Sequence, residues 1–416
     1  MPKFPWGAAA TVAVSLFAST ALAAPRETFV DVPAGRIITP ASSQKTTGGV
    51  AHTNIHIMLP PGKISLPSSS PSGKFETPAS LACLYRQVRP VKGCNPETLT
   101  AVSQGGSKVV VIVDAYHYPT ARADLATFSK QFGLPVITEQ NFQVVWAGGT
   151  KPPNDSSGGW ELEEALDIEI AHSLAPNAKI VLVEAQSAQS PDLYAAETVA
   201  AGIAAKAGGG EVSNSWGGAE FTGENAYESV FTGANVVFFA SAGDSPGVET
   251  PSVFSNVVGV GGTQINRDSS GNFLGQTIWT ESGGGYSLGV PLPPYQSAIA
   301  STVHYVRSVP DVALVASPVS AFWIYSTTPY EGTVTRWIPV GGTSVATPAV
   351  AAMTNSANDF AANSVDALTK IYANYGNVAD FTDITVGLCQ NGDHLHGWKG
   401  WDPCTGVGTP YGKKGL

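Results

Sequence analysis

Charge is what this chain has least of. Asp, Glu, Lys and Arg make up 13% of its 416 residues, and 32 acidic residues outnumber 22 basic ones. A formal net charge of −10 offers no basic field to a phosphate backbone, which excludes nucleic acid as a partner. Cysteine is also scarce. Cys83, Cys94, Cys389 and Cys404 are the only four, and no Cys-x-x-Cys pair occurs among them, so the sequence writes no thiolate metal site. Long apolar runs are missing too. The longest, AAATVAVSLFASTALA near the start, falls short of the ~20 residues a membrane span requires.

Glycine (45) and proline (30) are plentiful and indicate many turns, while the length allows one large domain with appendages. Lys3, the apolar run and Ala21-Leu22-Ala23 read as a secretory signal over residues 1–23. A soluble, monomeric protein exported to the periplasm or outside the cell is therefore expected, and four cysteines suit that compartment. They permit three pairings. The two local pairs, Cys83 with Cys94 and Cys389 with Cys404, are preferred because each member lies near its partner. Residues 24–75 are polar and broken by proline, and read as a short propiece or N-terminal extension; a disordered leader is the other reading. Within them HTNIHIMLP (52–60) has the pattern of one strand.

From about residue 80 strands and helices alternate. KVVVIVDAY (108–116), FQVVWAG (142–148), AKIVLVEA (178–185), EVSNSWGG (211–218) and ANVVFFASAGD (234–244) read as strands. Helices are expected over 121–133, 159–176, 191–210 and around 364–374, with Gly133 and Pro176 as stops. This alternation predicts an α/β fold with a central parallel sheet and helices on both faces. Ligands bind beyond the carboxyl ends of such strands, where Asp114, Ser215 and Asp244 fall. The stretch from 265 to 340 is mixed and resists placement.

GGTSVATPAVAAM (341–353) leads from two glycines into a buried helix, with Pro348 expected in its first turn. Ser344 sits where unpaired helix N–H groups point, a good place for a nucleophile whose attack creates an oxyanion. Ser344 as a plain helix cap is the alternative. A nucleophile needs a base. Glu163 and Asp167 lie four residues apart and share one helix face. His172 is five residues beyond Asp167, about 140° around the helix at ~100° per residue, and is expected to be packed or exposed away from the pair. Glu161, Glu164 and Glu169 read as a solvated acidic face.

Glu-x-x-x-Asp on a helix, then Ser-Trp-Gly, then Ala-Gly-Asp-Ser, then Gly-Gly-Thr-Ser-x-x-x-Pro, in that order, resembles the sedolisin family of serine-carboxyl peptidases, which have a subtilisin-like fold. The resemblance covers a peptidase domain over about residues 76–416. It implies Ser344 as nucleophile, Glu163 as general base, Asp167 as the group that orients it, and Asp244 in the oxyanion hole. It further implies that Ser215, Trp216 and Gly217 bind a protein or peptide substrate as a strand, with the Trp216 indole facing it. ESGGGYS (281–287) would be a second wall. Glutamate can act as base in acid, where histidine is protonated, so an acidic working range is expected. The His-Gly-Thr-His string of a Ser-His-Asp subtilisin is absent, which weakens a triad built on Asp114. A catalytically silent peptide-binding protein is the remaining alternative.

The resemblance also implies one structural calcium ion in a C-terminal loop region. Asp383 and Asp402 side chains, with carbonyls of Ile384, Trp398 and Gly400, would supply oxygen ligands. The family often has glycine where this chain has Trp398. It also carries a long folded pro-domain, for which residues 24 to about 75 leave little room.

Overall fold

The computed structural model describes residues 26–46, 49–61, 70–71, 73–389 and 395–416, so the expected signal over residues 1–23 lies outside the described residues. In chain order the elements that position the site are β1 (Thr28–Val32), β2 (Gly35–Thr39), β3 (His52–Thr53), β4 (His56–Leu59), α1 (Pro78–Leu84), β5 (Val109–Ala115), α2 (Ala121–Phe132), β6 (Phe142–Trp146) and α3 (Gly159–Leu174). They continue with β7 (Lys179–Ala185), α4 (Ser190–Lys206), β8 (Gly210–Asn214), β9 (Trp216–Ala219), β10 (Val236–Ser241), β11 (Glu249–Thr250), β12 (Val258–Arg267) and β13 (Phe273–Ile278). Next come β14 (Gly285–Pro291), β15 (Val306–Val309), β16 (Val312–Val315), β17 (Phe322–Tyr330), β18 (Thr333–Gly341), α5 (Thr343–Ala357) and α6 (Ser364–Ala373).

The β-branched runs build a sheet of order β13-β12-β10-β8-β5-β7-β6, with β16 also paired to β12. Every pairing is parallel except β12 with β13. Alternation along each strand decides what covers it. Val110, Ile112, Ile180, Leu182, Val237 and Phe239 face a core that includes α3 and α5. Val109, Val111, Val113, Val181, Val183 and Phe238 face the opposite core, filled by Leu193, Ala196, Ala200 and Ala204 of α4. The small alanines let α4 lie close to the sheet. Both faces are thus covered, as the alternating pattern predicts.

Helix α3 departs from expectation. All its residues are buried, because β5 and β7 lie on one side and α5, α2 and β17 close the others. Glu161, Glu164 and Glu169 therefore do not form a solvated face. Glu169 Oε2 accepts the Tyr325 N–H at 2.9 Å and Glu161 Oε1 accepts the Asp155 N–H at 3.0 Å.

A second, five-stranded antiparallel sheet, β1-β2-β4-β18-β17, takes in both the N-terminal segment and the previously unplaced stretch before Ser344. HTNIHIMLP is two strands rather than one, because the chain crosses between sheets: β3 pairs with β9 and β4 with β18. EVSNSWGG divides for the same reason. β8 stays in the central sheet while β9 leaves it to pair with β3 and β11. The disulfides are the two local ones, Cys83–Cys94 and Cys389–Cys404.

One buried ion pair ties the later strands together. Arg307 Nη1 lies 2.6 Å from Asp311 Oδ1 and Nη2 lies 2.7 Å from Oδ2, with neither side chain exposed. Asp311 Oδ2 also accepts the Gly259 N–H of β12 at 2.7 Å. Arg307→Ala strands a buried carboxylate and is expected to cost about 3–5 kcal/mol in urea unfolding. A loss below about 1 kcal/mol, the range of surface pairs, contradicts this role.

Candidate active site

The site is assembled where β18 runs into α5. Gly342 links them with φ +115°, and a Cβ there would collide with both Asn54 O and Asp244 Oδ2. Only glycine fits that approach. Helix α5 begins at Thr343, one residue before Ser344, so Pro348 lies in the helix interior rather than in the first turn. Its missing N–H leaves the Ser344 carbonyl without the usual i+4 bond. Ser344 is fully buried; its Oγ donates to Ser215 O at 3.1 Å and its N–H donates to Asn54 O at 3.2 Å.

Packing of α3 on α5 brings Glu163 and Asp167 beneath the serine, both at 0% exposure. Asp167 Oδ1 accepts the Ser215 hydroxyl at 2.8 Å, and its Oδ2 has no partner among the described residues. Glu163 lies close enough to the Ser344 hydroxyl and the Asn54 N–H for both to favour its ionised form. Neither contact is a completed hydrogen bond, since Ser344 Oγ turns to Ser215 O and both Glu163 oxygens stay unpaired. Burial first, then the Asp167 charge, pushes the Glu163 pKa well above the usual carboxylate range. Asp167 is raised likewise by burial, then by Asp114. Asp114, at the end of β5, is itself raised by burial and then by Glu163. All three carboxyls are fully buried, and charge on one disfavours ionisation of its neighbour.

Asp244 follows β10. Its Oδ1 accepts both the N–H and the Oγ1 hydroxyl of Thr343 at 2.7 Å. Its Oδ2 and Asn54 O both border the space where a Gly342 side chain would stand, and Oδ2 lies 3.3 Å from His56 Nε2. Burial lowers the His56 pKa, but Asp244 and then Glu281, from the ESGGGYS turn, outweigh it and the net shift is upward.

The Asn54 carbonyl thus points at the Ser344 N–H beside Asp244, and the chain on either side is held as an extended strand. Thr53 and His52 pair antiparallel with Trp216 and Gly217, and the Ala51 N–H reaches Ala188 O at 2.7 Å. Beyond Asn54, His56 and Ile57 pair with Gly341 and Val340. Residues 51–57 fill the cleft. Sequence reasoning missed this segment because its pairing is long-range; the apolar run of HTNIHIMLP shows a strand but not its neighbour.

Three other expectations resolve here. Ser215 offers its carbonyl to Ser344 and its hydroxyl to Asp167, and Gly217 opposes His52. Trp216 is 2% exposed with residues 51–57 in place, its Nε1–H donates to Val113 O at 3.0 Å, and its backbone pairs with Thr53. His172 packs away from the carboxyls, with Nε2 3.2 Å from Pro135 O, and burial lowers its pKa to about 4. No histidine hydrogen-bonds Ser344 among the described residues. A cavity of about 650 Å³, lined by Ala51, Tyr194, Trp216, Phe221 and Thr250, opens beside the strand.

In the tail, the Gly400 N–H donates to Asp383 Oδ2 at 2.8 Å, which folds the 398–400 loop onto Asp383, and Asp383 Oδ1 is buried without a partner among the described residues. Asp402 Oδ1 accepts the N–H groups of Cys404 and Thr405, each at 2.9 Å. Burial is the largest cause raising the Asp402 pKa to about 7, and Asp383 adds to it. The Ile384 carbonyl borders Gly397. Trp398 is not among the residues with positive φ, so the side chain there strains nothing.

Residues 145–370 match the subtilase family (Peptidase_S8). Kumamolisin of Bacillus sp. strain MN-32 is 30% identical over 312 residues, which cover 67% of this chain and 54% of that protein. Sedolisin of Pseudomonas sp. strain 101 is 27% identical over 180 residues, 41% of this chain and 29% of that protein. The chain spans about half the length, or less, of these curated relatives. A solved structure of Pseudomonas sedolisin, a serine-carboxyl proteinase complexed with two molecules of pseudo-iodotyrostatin, superposes with a TM-score of 0.65 at 22% identity, over 82% of this chain and 96% of that one. That likeness is one of fold.

The buried carboxyls carry a consequence for stability. Burial raises Asp114, Glu163, Glu164, Asp167, Glu169 and Glu197 well above their ordinary values, Glu161 to about 7 and Glu211 to about 8. A carboxyl whose folded pKa is raised stabilises the fold fully below its unfolded value, near 4, and that contribution is lost as pH climbs through the folded value. His172 acts in the opposite sense but is a single group. The melting temperature is therefore expected to fall between about pH 5 and pH 8. A melting temperature that rises across that interval contradicts the buried, protonated cluster.

Proposed function

The chain belongs to the subtilase family, on its sedolisin branch, and we propose that it is an exported serine-carboxyl endopeptidase that works in acid through Ser344, Glu163, Asp167 and Asp244. The observation that carries this reading is the seat of the Asn54 carbonyl. It lies at the Ser344 N–H, opposite Asp244, on a strand paired to both walls of the cleft.

Ser344 Oγ turns from Ser215 O toward the carbonyl carbon and gives its proton to the Glu163–Asp167 pair, which holds one proton between its two members. Ser215, hydrogen-bonded to Asp167, orients that carboxyl. The oxyanion takes hydrogen bonds from the Ser344 N–H and from Asp244, which donates only when protonated. Glu163 then returns the proton to the leaving amine, and water repeats the sequence on the acyl-enzyme. In the intact chain residues 51–57 occupy the place of the substrate, so Asn54–Ile55 is the first bond presented to Ser344. The local disulfides and the sequence of residues 1–23 support export.

Asp383 and Asp402 fit a calcium ion. The unpaired Asp383 Oδ1 and the like-charge conflict between the two carboxyls both call for a cation, and the Ile384, Trp398 and Gly400 carbonyls would complete an oxygen set. Such an ion stabilises the loop region and takes no part in the reaction.

Two measurements check this reading. Peptide hydrolysis is expected to be fastest below about pH 5 and weak at neutral pH. Glu163→Gln should lose about 10²–10⁴-fold in turnover, the usual worth of a general base, while His172→Ala, assayed below its melting temperature, should stay near the parent. An inactive His172→Ala beside an active Glu163→Gln overturns the carboxyl base. Chelation should lower the melting temperature, and Asp402→Ala should lower it and remove the response to chelator. A parent unaffected by chelation contradicts the calcium site.

A further inference from the structure

Glu249 is a buried acid that the chemistry above does not use. It is 2% exposed, and neither carboxylate oxygen has a hydrogen-bond partner among the described residues. The backbone brings it to the cleft wall: β11 pairs with β9 through Glu249↔Ala219 and Thr250↔Gly218. Two glycines leave room for its carboxyl group. A Cβ on Gly243 would stand 2.7–2.8 Å from the carboxyl atoms, and one on Gly217 would also strike it.

The cationic group facing it comes from the strand in the cleft. His52 Nε2 lies 3.4 Å from Glu249 Oε1, with the two side chains 4% and 3% exposed. His52 sits opposite Gly217, two residues before Asn54. Asp244 adds negative potential at the same ring. When another peptide replaces this strand, Glu249 stays buried at the cleft wall and its counter-charge leaves. An uncompensated buried carboxylate is costly, so an incoming chain that restores a cation is favoured over one that does not.

We propose that Glu249 is a specificity-determining residue that selects peptide substrates with a cationic side chain, Lys, Arg or His, two residues before the residue whose carbonyl is attacked. This rests on the peptidase reading, and the test separates the two. Peptides of sequence Val-Ala-X-Thr-Asn-Ile-His-Ile, copied from residues 50–57 with X as His, Arg, Lys, Ala or Glu, are added to the full chain at about pH 5, where X in the free peptide is largely anionic as Glu and cationic as Lys, Arg or His. The internal strand competes equally with all of them, so ratios of kcat/KM are read. Peptides with Arg, Lys or His should be cut about tenfold or more faster than those with Ala or Glu, the size of effect expected for one buried charge contact. Glu249→Gln, which keeps size and shape, should bring that ratio to within about twofold. Cutting with no preference in the parent, or a preference unchanged in Glu249→Gln, overturns the inference and leaves the peptidase reading standing. No cutting of any peptide overturns the peptidase reading and this inference with it.

Discussion

Helix α3 has no face to solvent, and the behaviour of the site follows from that. A glutamate on an exposed helix ionises near 4.3 and stays hydrated, whereas one enclosed by a sheet, a helix and a hairpin ionises only at a penalty. Glu163, Asp167 and Asp114 are enclosed together, so each makes the others harder to ionise. The pocket holds protons at pH values where a surface carboxylate has lost them. This suits the proposed base, which would share a proton with its neighbour. It also links catalysis to stability, since the same groups that would drive the reaction hold the fold best in acid.

A second constraint is the width of the chain at Gly342. The backbone there passes so close to Asn54 O and Asp244 Oδ2 that no side chain fits. That closeness lets the Asn54 carbonyl reach the Ser344 N–H with the Asp244 carboxyl beside the same glycine. It also depends on β4 and β18 belonging to one sheet, which carries residues 51–57 past Ser344. The N-terminal segment is therefore part of the architecture of the cleft. Its two histidines face Glu249 and Asp244 on either side of the Asn54–Ile55 bond.

Local pattern made much of this legible. The β-branched runs gave the parallel strands, and the spacing of Glu163 and Asp167 placed them on one turn because a helix repeats every 3.6 residues. The order of short motifs led to Ser344 and Asp244. What escaped depends on distant parts of the chain. Glu161, Glu164 and Glu169 read as solvated because nothing nearby in sequence says that β17 and α5 will cover them. That β9 leaves the central sheet after Ser215 to pair with β3 was equally hidden, because β3 lies more than 150 positions earlier. Glu249 and His52, nearly two hundred positions apart, carried no local signal at all.

Ser344 stands under a bond of its own chain, and one measurement reaches that point directly. The purified chain and its Ser344→Ala variant are moved from neutral to acidic solution and followed by intact mass and N-terminal sequencing. The parent is expected to break between Asn54 and Ile55, giving a new terminus that begins Ile-His-Ile, while Ser344→Ala stays whole. A parent that remains uncut at every pH, or a Ser344→Ala chain that breaks at the same bond, would contradict it.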